Sequence, residues 1–377
     1  MSAHQPQFLK PRTLTARRCA RSLRMLRPPA ILLLALTLHS AGATQPALPP
    51  FDATTSLLVI APHPDDETLC CAGAMQRVLA AGGQVSVVWI TSGDGSILSL
   101  LLVEKALPTS RAKVRELAGQ RMREARAATS LLGVPEPHQL FLGYPDGRIL
   151  DMFLSSPASL HGAKFTGITQ VPYSDALFPD HPYTAASLEH DLETVIQRVA
   201  PTVILAPSAS DTHPDHSATG RFVLRLLKRH HETSKTYYWI VHGGEGWPSP
   251  REYMAGIPLD LPPAGTGLPL RPFTLTTEEQ ARKHQAIETY RTQMSYMAPF
   301  LLAFARTSEL YSPTATPAPT ATPDVFKGLA AAASDPTSGP TFRQSAPAAG
   351  RARPAAASSY DSAAAIARNR LRTPRPQ

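Results

Sequence analysis

The chain is short of cysteine, of long apolar runs and of the glycine signature of nucleotide binding. It has three cysteines in 377 residues. Cys70 and Cys71 are adjacent, and Cys19 lies in a basic N-terminal segment, so none of them staples a long loop. No Cys-x-x-Cys occurs, and a thiolate zinc site is therefore not indicated. A chain of this length buries enough core to do without disulfides even in an oxidising compartment. The apolar run from Ala30 to Leu38 is too short to cross a bilayer, which takes about 20 residues. The first strand–loop–helix carries His, Pro and Asp where a dinucleotide fold places Gly-x-Gly-x-x-Gly, so a nucleotide-binding domain is not expected. No internal repeat is present.

The formal net charge of +8 is unevenly spread. Residues 1–43 hold seven basic side chains and no acidic one, and residues 312–377 hold eight basic and three acidic. The stretch 44–311 is left at −4, which argues against nucleic acid as its partner. Lys10, Arg12, Arg17, Arg18, Arg21, Arg24 and Arg27, then the apolar run, then Ala41-Gly42-Ala43 make the three parts of a secretory signal. Met25 is an alternative start that gives a shorter leader. The mature protein is expected to begin near Thr44 and to be exported, to the periplasm or beyond, with no transmembrane span after signal removal. From Ser312 the chain runs in Pro, Thr, Ala, Ser and Arg, without the apolar content that offsets ordering entropy, and reads as a disordered tail. A single catalytic domain over 44–311 remains; its oligomeric state is not legible.

Within it, strand and helix signals alternate. Strands are expected at Leu57–Ala61, Val85–Ile90, Gln139–Leu142, Thr202–Ala206 and Tyr237–Val241. Helices are expected at Thr68–Ala80, Arg111–Leu132, Leu188–Val199, His216–Arg229 and Thr276–Met294. Pro248–Pro272 reads as a surface excursion. The alternation predicts an α/β fold, a Rossmann-like three-layer sandwich with a mostly parallel sheet.

Two strings stand out. Ala61-Pro62-His63-Pro64-Asp65-Asp66-Glu67 follows the first strand, and His213-Pro214-Asp215-His216 follows the fourth. In an open α/β sheet, chemistry collects at the carboxyl ends of strands. Imidazole and carboxylate are the donors of a catalytic zinc, which keeps one position for water. Pro62 and Pro64 restrict the backbone around His63. Asp65 and Asp66 are neighbours whose side chains diverge, so one is free to ligate while the other takes a proton from water. An acidic N-cap for the following helix explains the carboxylates but not His63. Of His213 and His216, one completes the metal set and the other meets the carbonyl or the departing amine. Spacing alone does not say which is which. Asp215 is placed to orient an imidazole through its ring N–H.

These strings resemble the paired signatures of the LmbE / PIG-L family of zinc-dependent N-deacetylases. Arg121-x-x-Glu124-Ala125-x-x-Ala128-x-x-x-Leu132-Gly133, Leu142-Gly143-Tyr144-Pro145-Asp146-Gly147 and Lys283-x-x-Ala286-x-x-x-Tyr290-x-x-Gln293 are similar to further stretches of that family. The usual Ala-His-Pro-Asp-Asp-Glu is varied here by Pro62 between Ala61 and His63. The resemblance implies Zn2+, or another divalent metal, held by His63, Asp66 and His216. It implies Asp65 as general base, His213 as the group that stabilises the oxyanion or aids amine departure, and Arg121 facing substrate. The implied reaction is removal of the N-acetyl group from an N-acetylglucosamine-type amino sugar in a glycan, glycoside or glycolipid. A zinc amidase for a larger acyl group and a non-catalytic carbohydrate-binding protein are the alternatives. Asp94, Asp146 and His242 are expected near the pocket, Trp247 and Tyr253 on a sugar ring or in the core, and His181 in loop structure.

Overall fold

The computed structural model describes residues 46–96, 101, 110–230 and 234–318. The expected signal over 1–43 and most of the expected tail lie outside the described residues. Five parallel strands form the main sheet: β1 Ser56–Ala61, β2 Gln84–Thr91, β3 Gln139–Tyr144, β4 Val203–Pro207 and β5 Lys235–Trp239. Their order is β3-β2-β1-β4-β5. β1 is central and fully buried from Leu57 onward, as a parallel strand covered on both faces must be. Its side chains alternate between two cores. Leu57, Val59 and Ala61 join one apolar cluster, Leu58 and Ile60 the other.

Helices α1 Asp66–Ala80, α2 Arg111–Leu131, α6 Thr277–Ile287 and α7 Arg291–Leu302 cover the first face through residues such as Met75, Ala125, Ile287 and Leu301. Helices α3 Ile149–Leu154, α4 Ala185–Val199 and α5 Pro214–His230 cover the second through Met152, Leu192 and Phe222. The result is the three-layer α/β sandwich expected from the alternation of elements, in one compact unit. Cys70 and Cys71 bond to one another inside α1 and close no loop.

Three expectations need correction. The helix expected over Thr276–Met294 is two, α6 and α7, broken at Glu288–Tyr290. Thr289 turns its hydroxyl onto the Ala286 carbonyl at 2.7 Å, and Tyr290 takes a non-helical ψ of 62°. Two short strands, β6 Arg271–Thr274 and β7 Ser308–Tyr311, pair antiparallel, although four residues around Pro272 give no strand signal. The fold also passes the boundary expected after Tyr311. Ser312 exchanges backbone hydrogen bonds with Tyr238 at 2.8 and 2.9 Å, and the Ala315 carbonyl accepts from the Ser208 hydroxyl at 2.7 Å. Composition sees a Pro/Thr-rich stretch but not the open edge of β5 that these residues cover.

A chain ending at Tyr311 is therefore expected to melt lower than one ending at Ala318. Three hydrogen bonds at about 1 kcal/mol each, at roughly 2–4 °C per kcal/mol for a domain this size, set a difference of about 6–12 °C. Equal melting temperatures would show that 312–318 contributes nothing.

Candidate active site

The order of strands reverses between β1 and β4, which pair directly through Leu57–Val203, Leu58–Ile204 and Val59–Leu205. That reversal opens a crevice at the carboxyl ends of the two strands, the usual ligand position in an open α/β sheet. Both His/Asp strings leave those ends. Asp66 is the first residue of α1, and its carboxylate Oδ2 accepts the His63 backbone N–H at 2.8 Å. Pro214 opens α5, where a missing N–H costs nothing, and so sets His216 in the first turn.

Three donor atoms converge. His63 Nδ1 lies 3.2 Å from Asp66 Oδ2 and 3.1 Å from His216 Nε2, and the latter two are 3.1 Å apart. Ligands about 2.0–2.2 Å from a tetrahedral zinc stand roughly 3.3–3.6 Å from one another. The triangle is close to that size, and its two nitrogens and one oxygen suit such an ion. His213 and His242 bring further nitrogens within 4.8 Å of members of this group. Each ring has a carboxylate behind it. Asp211 Oδ2 sits 3.2 Å from His216 Nδ1, and Asp215 Oδ2 sits 3.3 Å from His63 Nε2. Such partners fix the tautomer that turns the opposite nitrogen toward a metal. Asp211 also accepts the backbone N–H groups of His213, Val241 and His242, at 2.8, 2.9 and 3.1 Å. Asp215 accepts those of Gly147 and Ile149, at 2.6 and 3.1 Å, which ties the turn after β3 to the same site.

The charges divide sharply. Burial pulls the His63 imidazole down, but Asp146, Asp215 and Asp66 outweigh it and hold the ring well above its ordinary value. Burial likewise opposes protonation of His216, yet Asp66 and Asp211 raise it to about 9. Asp66, buried but flanked by these two rings, is held well below the carboxylate range. Its neighbour Asp65 moves the other way. Burial, with Asp66 alongside, pushes it up to about 7.

Asp65 occupies the N-cap of α1 without making a side-chain cap, and its backbone sits at φ 155°. A non-glycine residue there is strained by about 1–3 kcal/mol and needs surroundings that hold it. Its N–H donates to Glu67 Oε2 at 3.2 Å. Glu67 is fully buried and also takes the Trp89 indole N–H at 2.7 Å and the Tyr290 hydroxyl. Asp65 Oδ2 meets Gln293 Nε2 at 3.2 Å and Arg121 Nη2 at 3.5 Å.

Arg121 is at the site but turned inward, with 4 % of its surface exposed. Its terminal nitrogens reach the Gly93 carbonyl at 2.9 Å and the Pro64 carbonyl at 3.4 Å, and Asp146 at 3.7 Å. Arg121 thus braces the β1 and β2 loops beside Asp65. Gly93, at φ 71°, permits it, since a Cβ there would stand 2.4 Å from the guanidinium.

His213 lies beside the convergent donors, its ring centroid 4.8 Å from that of His63 and 5.0 Å from that of His216. Burial and the three neighbouring imidazoles hold it neutral. Its Nδ1 accepts the Asp215 backbone N–H at 3.3 Å, so the neutral ring carries its proton on Nε2. His242 packs on His213 at 4.8 Å and on Phe300 at 5.6 Å. Asp146 Oδ1 is 3.4 Å from His63 Nε2, and its N–H donates to Asp94 Oδ1 at 2.9 Å. Burial and Asp146 push Asp94 up to about 7. The structure does not bring the remaining candidates into this cluster. His181 bonds Asp191 at 2.8 Å, Trp247 is core, and Tyr253 packs on His284 at 4.2 Å. Asp211 is the residue the sequence reading missed. Its signal, a carboxylate two residues before His213, is too common to single out.

Residues 58–227 match the family described as PIG-L: GlcNAc-PI de-N-acetylase. A 1D-myo-inositol 2-acetamido-2-deoxy-alpha-D-glucopyranoside deacetylase of Mycobacterium sp. (strain KMS) is 28 % identical over 220 residues, which cover 58 % of this chain and 64 % of that protein. The chain thus spans just under two thirds of that relative's length. The protein of the same name from Segniliparus rotundus is 28 % identical over 287 residues, 70 % of this chain and 84 % of its own. Among solved structures, the A40926 pseudoaglycone deacetylase Dbv21 aligns at a TM-score of 0.45 and 20 % identity, covering 69 % of this chain and 96 % of that one. With both His/Asp strings inside the matched stretch, residues 58–227 form a domain of the PIG-L (LmbE-like) deacetylase family.

Proposed function

We propose that this protein is a zinc-dependent N-deacetylase that acts, outside the cytoplasm, on an N-acetylglucosamine-type amino sugar carried in a glycan, glycoside or glycolipid. The observation that carries the reading is the convergence of His63 Nδ1, Asp66 Oδ2 and His216 Nε2 to within 3.2 Å, with Asp65 and His213 at its rim. The relatives' printed activity on a 2-acetamido sugar supports the acetamide as the bond cleaved.

His63, Asp66 and His216 would hold the ion, with Asp211 and Asp215 fixing the two rings. A bound divalent cation supplies Lewis acidity at the acyl oxygen and a water activated near neutral pH. Asp65, raised to about 7, is matched to take the proton of the attacking water and to return it later. His213, neutral with its proton on Nε2, donates to the oxygen on which charge develops. A carbon–oxygen bond forms, the carbon–nitrogen bond breaks, and acetate and a protonated amine leave.

The deciding experiment is acetate release from a panel of N-acylated amino sugars by purified, zinc-loaded protein. Release of acetate is expected. Release of only larger acyl groups points to the amidase alternative, and turnover of none overturns the reading. His63→Ala, Asp66→Ala and His216→Ala are each expected to lose zinc, and full occupancy in all three folded variants would refute the ligand set. Asp211→Asn is expected to weaken zinc binding by roughly 10–100-fold, because the His216 ring loses its orienting carboxylate.

The two rim residues are expected to leave zinc in place. Asp65→Asn should cost roughly 10²–10⁴ in turnover. His213→Ala should cost about 10²–10³, equally in kcat and kcat/KM, since the contact forms only in the transition state. A His213 variant that loses zinc or mainly raises KM would reassign that residue.

Export belongs to the same proposal and rests on the basic and apolar stretches within residues 1–43. N-terminal sequencing of protein recovered outside the cytoplasm is expected to start near Thr44. Met1 retained on that material would overturn cleavage.

A further inference from the structure

Asp65 is held from a part of the chain far from its own loop. Gln293, in the first turn of α7, has none of its surface exposed. Its amide nitrogen has two protons to give. It lies 2.7 Å from the Pro64 carbonyl and 3.2 Å from Asp65 Oδ2, so both are directed at one peptide and the next side chain. The amide oxygen meets the Thr292 hydroxyl. Thr292 is fixed in turn by Glu124 of α2, which accepts its N–H at 3.2 Å and lies 2.6 Å from its hydroxyl. The single proton of the Thr292 hydroxyl serves only one of these two acceptors at a time, so the amide is oriented chiefly by the two contacts of its nitrogen. Arg121 approaches the same carboxylate oxygen at 3.5 Å. Among the described residues no hydrogen bond reaches Asp65 Oδ1.

The geometry points to Gln293 as a positioning residue for Asp65. We propose that it occupies Oδ2, holds the backbone at Pro64–Asp65, and so leaves Oδ1 as the oxygen that takes the proton. This rests on Asp65 being the general base, as proposed above. A side chain that merely filled space would not aim both its donors at one residue's flanking carbonyl and carboxylate. The break between α6 and α7 places the residue, since Tyr290 and Gln293 turn together toward the start of α1, one onto Glu67 and one onto Asp65.

The test compares Gln293→Ala in the native protein and in Asp65→Asn, each zinc-loaded and assayed at high enzyme concentration on the best substrate of the acyl-sugar panel. In the native background kcat is expected to fall about 10–100-fold, with KM and zinc content within about twofold. In Asp65→Asn the same substitution is expected to change kcat by less than about threefold, because residues that act as a unit are not additive. An equal fall in both backgrounds, a change mainly in KM, or an unchanged kcat overturns the proposal. If Gln293→Ala does not fold, Gln293→Glu keeps the shape but loses the donors. It is expected to lower kcat at least as far, and an unchanged kcat overturns the proposal equally. If the wild-type protein turns over no sugar of the panel, the deacetylase reading falls. The positioning is then decided by a crystal structure of Gln293→Ala. A displaced Asp65 carboxylate supports it, and an unmoved one overturns it.

Discussion

Three electron-pair donors, His63 Nδ1, Asp66 Oδ2 and His216 Nε2, are crowded into a space closed to solvent. Left to themselves they repel, and each is costly to desolvate. A cation or added protons must offset that, and the surrounding carboxylates accordingly push both rings toward the protonated form. The rest of the structure is arranged around this crowding. β1 and β4 are paired so that their two loops face each other, and carboxylates stand behind both rings. The turn after β3 is pinned by Asp215 rather than left open.

Five carboxylates in or near the site fall into two groups. Asp66 and Asp146 are driven toward ionisation by imidazoles, whereas Asp65, Glu67 and Asp94 are driven toward protonation by burial. Two environments that push neighbouring groups apart assign one to hold charge and the other to exchange protons. Asp65 and Asp66 are pushed in opposite directions although adjacent. The sharp backbone turn at Asp65 sends the first side chain toward Gln293 and Arg121, and the second toward the rings. The strain at Asp65 is thus the means by which adjacent carboxyl groups come to lie in different surroundings.

Much of this was legible before any coordinates. The strand runs of β1, β2 and β4 and the helices between them follow directly from apolar pattern. The two His/Asp strings mark where the donors converge because each string is local and dense. The choice of Asp66 over Asp65 and of His216 over His213, however, comes from the family resemblance and not from spacing. What stayed hidden depends on contacts across the chain. Asp211 matters because the end of β4 lies beside His242 and Val241, which no spacing reveals. The break at Glu288–Tyr290 sits in a stretch whose composition is helical throughout, and it is drawn open by a hydroxyl that reaches Glu67, 223 residues away. Arg121 reads in the sequence as either a substrate contact or a solvated helix charge, and only the depth of its packing shows that it is buried against two loop carbonyls. Ser312 and Ala315 gain their place from an edge strand that composition does not register.

The separation of 228 residues between Asp65 and Gln293 has a consequence for how the protein comes into being. The chain emerges from the ribosome from its N-terminus, at roughly 5–20 residues per second, so Asp65 is made on the order of 10–50 s before the amide that holds it. The whole parallel sheet, with all three convergent donors, is complete in sequence before α7 exists. The carboxylate of Asp65 therefore gains its fixed partner only when the last helix docks, after the loops that hold the three convergent donors have already been made.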